Sequence, residues 1–280
     1  TKASITIPKK SGSLTLGTDA FKNVTLVSYV DVNTYTNGND TYVFEIDSNG
    51  NAIIVGCSTT STAITLPTTL GDCPVIAVGY KGMASCTSLT SITIPSNIQY
   101  LDSFAFDGCT GLTTVTIPPT VSSVMEYAFR NCTNLHTVTI AEGVEYIGDF
   151  TFYNCRNLME IVVPDSCEYL GGYAFYNCTS LESATIGIAV PEICDYTFYN
   201  CTSLATAVIG TSVTRIGDYA FYNCALTRLT TPNTLVTIGK YAFAYNTSLT
   251  RVTLRNNLQT IDDGAFKGCS SLTTINWTSS

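Results

Sequence analysis

The chain has 280 residues, of which 45% are hydrophobic and only 12% are charged, and its formal net charge at pH 7 is −8. A nucleic-acid-binding protein needs a cationic face to neutralise phosphates, yet the densest basic stretch here is "PKK" at 8–10. The charge balance therefore excludes nucleic acid and an anionic membrane surface as partners. No apolar run reaches the roughly 20 residues of a membrane-spanning helix, and the abundance of Thr, Ser and Asn favours an extracellular or cell-surface protein.

The first 40 residues carry only echoes of a pattern that recurs later in the chain. "SITIP" (4–8) alternates like a strand, and "TDAF" (18–21) matches a later Ala-Phe step. Two interpretations stay open for residues 1–40. These residues are either a degenerate repeat or the tail of an upstream domain.

The next segment, "TYVFEIDSNGNAIIVGC" (41–57), is predicted to form a β-hairpin. Two apolar runs flank "DSNG", which has the composition of a tight turn. The segments "ITLP" and "CPVIAVG" follow it. We expect the hairpin to open a repeat domain that spans residues 41–280.

From about residue 64 to the end, one unit recurs nine times. Its aromatic residue is spaced by 23 residues, except for one interval of 22 between Phe221 and Phe243. The short interval arises because "NCALTRL" (223–229) lacks one residue relative to "NCTSLATA". This aromatic position is occupied by Phe106, Phe129, Phe152, Phe175, Phe198, Phe221, Phe243 and Phe266.

Each unit predicts one strand followed by a tight turn segment. In "LTTVTIPPTVSSVMEYAFRNCTN" (112–134), the apolar Val115 and Ile117 alternate with threonines, and Pro118 ends the strand because proline cannot donate to a ladder. "EYAFRNC" is too short for an independent helix, so we expect a helical or 3₁₀ turn. One unit cannot bury its apolar residues alone, whereas stacked units form a continuous core, which is a solenoid with parallel strands.

The unit "IPxxVxxIGxYAFxxCxxL" resembles the BspA-like leucine-rich repeats of bacterial cell-surface proteins, which are also expanded in some protozoan parasites. The resemblance covers residues 64–280. It implies a strand-rich α/β fold, a right-handed leucine-rich-repeat solenoid with short helical or 3₁₀ turns. It also implies a non-enzymatic, monomeric, secreted or cell-surface protein that adheres to host matrix proteins, host cells, other microbes or glycans. The alternative is a structural spacer that presents another domain of a larger surface protein.

Eight of the twelve cysteines form a column, three residues after the Phe position or after Met83, which takes the same place. No CxxC pair suggests a metal site, and His136, the single histidine, is expected to be exposed. We therefore predict small buried side chains whose S–H group donates to a backbone carbonyl, with the Asn246 amide replacing the thiol in one unit. Cys57 and Cys73 are the pair expected if any disulfide forms. The column comprises Cys86, Cys109, Cys132, Cys155, Cys178, Cys201, Cys224 and Cys269.

The strands are expected to display a hydroxyl-rich, nearly uncharged outer face. Threonine is a good exposed strand former, so a purely structural role and the recognition of a protein or glycan both stay open. The candidate contact residues on this face are Thr114, Thr137, Glu160, Arg228 and Arg251.

Two aromatic columns flank the Phe position. The column two residues before it runs from Phe104 to Tyr241, and stacked rings there would hold the units together. The column one residue after it is interrupted at Asp107, Arg130 and Ala244, so cohesion does not require it. Exposed Tyr is a favoured contact residue. We therefore predict that its four members form the contact strip: Tyr153, Tyr176, Tyr199 and Tyr222.

The sequence predicts no enzyme, no cofactor and no metal. It has no G-x-S-x-G, H-E-x-x-H or P-loop motif. A column of carboxylates, which includes Asp149, Asp195 and Asp218, is expected to serve solvation.

Overall fold

The computed structural model describes residues 4–8, 25–30 and 33–278, so "TDAF" lies outside the described residues. β1 and β2 pair in parallel, with Ser4 opposite Thr25. The segment that was predicted as a hairpin consists of the antiparallel strands β4 and β5, and β3 adds to it on the outer side. The strands up to residue 78 are β1 (Ser4–Pro8), β2 (Thr25–Val30), β3 (Asn33–Asn37), β4 (Asp40–Ile46), β5 (Ala52–Thr59), β6 (Ala63–Thr65), β7 (Thr69–Leu70) and β8 (Cys73–Val78).

Beyond β8, every 23-residue unit contributes two short strands, and each unit forms one rung of a parallel β-solenoid. The strands are β9 (Ser91–Thr93), β10 (Tyr100–Leu101), β11 (Thr114–Ile117), β12 (Ser123–Val124), β13 (Thr137–Ile140), β14 (Tyr146–Ile147), β15 (Glu160–Val162), β16 (Tyr169–Leu170), β17 (Ser183–Thr185), β18 (Glu192–Ile193), β19 (Thr206–Val208), β20 (Arg215–Ile216), β21 (Arg228–Thr230), β22 (Thr237–Ile238), β23 (Arg251–Arg255), β24 (Thr260–Ile261) and β25 (Thr274–Thr278).

β6 and the odd-numbered strands from β9 onward form the front sheet. Its order is β6-β9-β11-β13-β15-β17-β19, and the last three strands, β21-β23-β25, form a separate sheet. Strands pair with a register of one repeat, as Val115 opposite Val138 shows. Alternation places Val115 and Ile117 in the core and Thr114 and Thr116 outside.

The even-numbered strands from β8 onward form the side sheet, which β5, β4 and β3 extend before β8 and which is interrupted between β16 and β18. In the preceding rungs a backbone N–H bridges to the rung before, as from Glu168 to Glu145 O at 2.8 Å. Pro191 occupies the next equivalent position and has no N–H to donate. The carbonyl of Pro191 still accepts from Thr214 N–H at 2.8 Å, so the ladder resumes one rung later.

Stacked phenylalanines fill the core. The rings of Phe106 to Phe243 are fully buried and lie parallel, with centroids 5.0–5.4 Å apart. The separation is close to the spacing of paired strands, about 4.8 Å, because each ring belongs to one rung. Phe266 continues the stack at 5.4 Å but is only partly buried in the last rung.

The prediction of helical or 3₁₀ turns is wrong for the described residues, which contain no helix. In the turn segment, N–H groups alternate between two kinds of acceptor. Ala128 donates to Met125 O within its own rung, whereas Phe129 donates to Thr151 O of the next rung at 2.8 Å. Tyr127 has a φ of +60°, which takes the chain out of the right-handed helical region. The segment therefore forms a ladder between rungs instead of a helix. The right-handed sense of the coil stays a prediction.

Candidate functional site

The tyrosine strip, Tyr153, Tyr176, Tyr199 and Tyr222, is a continuous stack on the outside of the turn segments. Consecutive ring centroids are 4.8–5.0 Å apart and nearly parallel. Each ring is half-buried, and burial together with neighbouring tyrosines raises the pKa of the Tyr176 phenol. Among the described residues no protein group hydrogen-bonds the four hydroxyls, so the strip presents ring edges and free hydroxyls together, while the ring faces cover one another.

Different side chains bound the two ends of the tyrosine strip. Before Tyr153, Arg130 takes the place of a tyrosine and binds Asp107 through two hydrogen bonds of 2.8 Å. The guanidinium also lies 5.1 Å from the centre of the Phe104 ring, which is a cation–π distance. After Tyr222, Tyr245 packs edge-on at 5.2 Å. The strip is therefore a bounded patch four rings long.

The strip packs on the other aromatic column, the one two residues before the Phe position, whose residues all have positive φ. The rings of Phe104, Tyr127, Phe150, Tyr173, Tyr196, Tyr219 and Tyr241 stack at 4.5–5.1 Å. All seven residues have φ between +53° and +62°. Bulky residues rarely adopt this conformation, and Gly264 takes the same position in the last rung at φ +69°. The column is thus held in place by stacking and by the ladder between rungs.

The structure places the predicted front-face residues on a different part of the solenoid from the strip. Thr114, Thr137, Glu160, Arg228 and Arg251 are all exposed on the front sheet. Among the described residues no ring contact or hydrogen bond joins them to the tyrosines. The two groups are therefore two separate candidate surfaces.

The front sheet is open at the junction between β19 and β21, which we call the open junction. It holds a cavity of about 610 Å³. The rungs meet at one end, where Thr227 N–H donates to Ala205 O at 3.2 Å. They meet again at the other end, where Thr234 Oγ1 donates to Thr211 O at 2.7 Å. Between these points β19 and β21 do not pair.

A second groove, of about 650 Å³, lies between β13 and β15. These strands pair only at Thr137 and Glu160. Glu160 and Glu182 line the groove together with His136. Its charged rim is therefore acidic, whereas the charged residues that line the open junction are Arg228 and Arg255.

The prediction for the cysteine column is confirmed. The Sγ of Cys132 donates to Phe106 O at 3.2 Å, and the same bond recurs for the column cysteines from Cys109 to Cys269, as from Cys178 to Phe152 O at 3.2 Å, whereas Cys86 contacts Cys57 O at 4.0 Å. Burial raises the pKa of the Cys132 and Cys178 thiols, which keeps them protonated and unreactive. Cys57 and Cys73 are both free thiols.

The carboxylate column has a role that the sequence pattern did not reveal. Asp149 Oδ1 accepts the backbone N–H of Gly172 at 2.8 Å, and Asp195 Oδ1 accepts that of Asp218 at 2.7 Å. These carboxylates therefore join consecutive rungs. Within residues 33–278 no three His, Cys, Asp or Glu side chains converge as metal ligands. The described part of the chain also has no helix that could cross a bilayer.

A family model for the BspA-type leucine-rich repeat region matches residues 76–205 and 169–280, with six copies. The chain belongs to the BspA-type leucine-rich repeat family. The family is known for binding rather than catalysis, and its bacterial members are typically associated with the cell surface. This membership makes the chain a repeat scaffold for protein interactions.

Two solved structures of leucine-rich repeat proteins resemble the chain. A leucine-rich repeat protein of T. pallidum is 26% identical and aligns with a TM-score of 0.62, over 65% of this chain and 86% of its own. A leucine-rich repeat protein from Bacteroides ovatus is also 26% identical and aligns with a TM-score of 0.64, over 88% of this chain and 71% of its own. No curated protein sequence matches the chain.

Sequence reasoning found the tyrosine strip of this BspA-type chain but missed the open junction as a candidate site. The signal was present, because the 22-residue interval falls between Phe221 and Phe243. The residue missing from "NCALTRL" coincides with the separation of two neighbouring strands.

Proposed function

We propose that this chain is a non-enzymatic, monomeric adhesion module of a secreted or cell-surface protein, and that the tyrosine strip is its principal contact surface. The partners are extracellular macromolecules: a matrix protein, a host or microbial surface protein, or a glycan. Residues 1–40 are proposed to be either a degenerate repeat or the tail of an upstream domain.

The observation that carries the proposal is the bounded stack of four half-buried tyrosines with free hydroxyls. Rings that are already stacked lose little conformational freedom on binding, since their neighbours at 4.8–5.0 Å hold their orientation. Tyrosine is enriched among residues that dominate binding energy. The exposed ring edges offer apolar contact area and the hydroxyls can form hydrogen bonds, so this chemistry suits protein and glycan partners alike.

The experiment measures binding to immobilised matrix proteins and to a glycan array. Wild type is compared with the fourfold variant Tyr153/Tyr176/Tyr199/Tyr222→Ser. We expect binding to at least one panel member, weakened at least about 100-fold in the variant, because two or more hot-spot residues contribute about 2 kcal/mol each or more.

The matched control changes tyrosines of the side sheet, Tyr146 and Tyr169, to Phe. Their rings also stack, at 4.8 Å, and their hydroxyls bind Glu126 and Asp149. Binding should survive this change. Equal binding by the fourfold variant and wild type would refute the strip, and a complete lack of binding would favour the spacer function.

A further inference from the structure

The shortened repeat leaves polar backbone groups of the front sheet unpaired at the open junction. One rung earlier, Ile186 N–H donates to Val208 O at 2.9 Å, and one rung later Thr231 N–H donates to Thr253 O at 3.0 Å. The equivalent bond from Ile209 N–H to β21 is missing, as is the pairing of Ala207 with β21. Buried backbone groups are nearly always paired in folded proteins, so this edge is a place where another strand fits.

The space matches one extended segment. Paired strands lie about 4.8 Å apart, and a strand rises about 3.3 Å per residue. The open stretch between the contacts at Ala205 and Thr211, residues 206–209, therefore has the length of about four residues of an inserted strand. The cavity of about 610 Å³ lies within the range of ligand-binding pockets, roughly 300–1,000 Å³.

The charged side chains of the open junction are both arginines. No Asp or Glu lines the cavity, and within the described residues neither Arg228 nor Arg255 forms an ion pair. Arg255 Nη1 donates to Thr278 Oγ1 at 3.0 Å, whereas its Nε is buried and has no hydrogen-bond partner. A buried, unpaired guanidinium donor in a chain of net charge −8 is complemented by a carboxylate from outside.

We infer that the open junction binds one extended acidic peptide segment of a partner protein by strand addition. The peptide backbone pairs with the free edges of β19 and β21, and a Glu or Asp side chain meets Arg228 and Arg255. Main-chain pairing supplies affinity and the carboxylate supplies specificity in this mode of recognition. The groove between β13 and β15 has Glu160 and Glu182 on its rim, so it disfavours the same peptide. This site is independent of the tyrosine strip.

The test uses fluorescently labelled, acetylated and amidated hexapeptides of alternating Val and Thr, with Glu, Gln or Lys at one position. Binding is followed by fluorescence anisotropy. We expect the Glu peptides to bind wild type at least about tenfold more tightly than their Gln counterparts and more tightly still than the Lys counterparts. Arg228→Gln, at an exposed position, should remove most of that preference. Arg156→Gln, at an exposed position outside the cavity lining, is the control and should leave it unchanged.

Two further changes, one in the protein and one in the peptide, separate the contribution of main-chain pairing to peptide binding from that of charge. Inserting a serine between Ala225 and Leu226 restores the 23-residue interval, so it should close the junction and abolish peptide binding. N-methylation of alternate peptide amides should also abolish it. The strip variant should bind the peptides as wild type does, which keeps this test separate from that of the adhesion function.

The inference is wrong if Glu and Lys peptides bind alike, or if no Glu peptide binds. It is also wrong if the insertion variant, shown by circular dichroism to be folded, binds the peptides as wild type does. Undiminished binding of N-methylated peptides would mean that only the carboxylate is recognised, which contradicts strand addition.

Discussion

Asn246 repairs the defect that the shortened repeat creates. In a full-length rung the leucine N–H bonds three residues back, as from Leu204 to Cys201 O at 2.9 Å. Leu226 follows Cys224 by only two residues, and its N–H instead donates to Asn246 Oδ1 at 3.1 Å. The same side chain donates through Nδ2 to Phe221 O at 2.7 Å, which is the acceptor that a column cysteine would use. A thiol can provide only the second of these bonds.

We predict that Asn246→Ala lowers the free energy of unfolding by about 2–4 kcal/mol, because it leaves a buried donor and a buried acceptor unpaired. Asn246→Cys should cost less, about 1–2 kcal/mol, because the bond to Phe221 O survives. With the serine insertion in place, Asn246→Cys should become nearly neutral. Urea denaturation measures all three. Asn256→Ala, at an exposed position, is the control, and equal losses in the Ala and Cys variants would contradict the repair role.

The asparagine that precedes five of the eight column cysteines suits a left-handed backbone conformation. Asn131, Asn154, Asn177, Asn200 and Asn223 have φ between +55° and +65°, and asparagine tolerates this region better than most residues. Their amides also bond in series, as from Asn200 Nδ2 to Asn177 Oδ1 at 2.7 Å. Gly108 and Gly268 replace them in other rungs at positive φ.

We predict that Asn177→Ala is about 1 kcal/mol less stable than Asn177→Gly. Both variants lose the amide bond to Asn200, but only alanine strains the left-handed backbone, where φ is +60°. Thermal unfolding of the two variants measures the difference. An alanine variant as stable as the glycine variant would show that the amide ladder, not the backbone conformation, selects asparagine.

At the scale of the element, the buried thiols of the cysteine column make the free energy of unfolding decrease as pH becomes alkaline. Burial raises the pKa of the Cys132, Cys155 and Cys201 thiols well above the ordinary value, which is about 8.5 in an unfolded chain. The unfolded state therefore loses thiol protons first. The stabilisation is fully present below about pH 8.5 and is lost progressively as pH rises from there towards the folded-state pKa.

We predict that the free energy of unfolding decreases between pH 8.5 and 9.5 by up to about 1.4 kcal/mol per pH unit for each buried column thiol. Replacing one column thiol, as in Cys178→Ala, should reduce this slope by the contribution of one proton, even though the variant is less stable at pH 7. Urea denaturation at several pH values measures the slope. A slope that is unchanged in the variant would contradict the buried, protonated column.

At the scale of the element, the sequence also shows what periodicity can and cannot predict. Alternation in "LTTVTIP" identifies the front strand and its buried residues Val115 and Ile117, because the side-chain period of a strand is two. The turn segment was harder to predict, because its N–H groups alternate between acceptors of two rungs. Gly264 in place of a tyrosine was the available sign of a left-handed backbone. The tyrosine strip was identifiable, since a column follows directly from the repeat length.

At the scale of the whole molecule, the register of the repeat decides where the solenoid is closed. Proline at 191 interrupts the side sheet, and the 22-residue interval coincides with the interruption of the front sheet between β19 and β21. In the core of the described rungs, the stack of phenylalanine rings continues across both interruptions, as the 5.3 Å separation of Phe221 and Phe243 shows. The core is therefore continuous while the surface is not. Sequence counting locates the shifted rung, but the distance between its strands depends on packing.

Amide hydrogen exchange at Ile209 and Ile186 tests this account most directly. The two residues are equivalent positions in consecutive rungs, but only Ile186 N–H has a partner, Val208 O at 2.9 Å. We predict that Ile209 exchanges at least about 100-fold faster than Ile186 in wild type, and that the serine insertion between Ala225 and Leu226 slows Ile209 to the rate of Ile186. Slow exchange of Ile209 in wild type, or exchange unaffected by the insertion, would contradict the claim that the repeat register opens the front sheet.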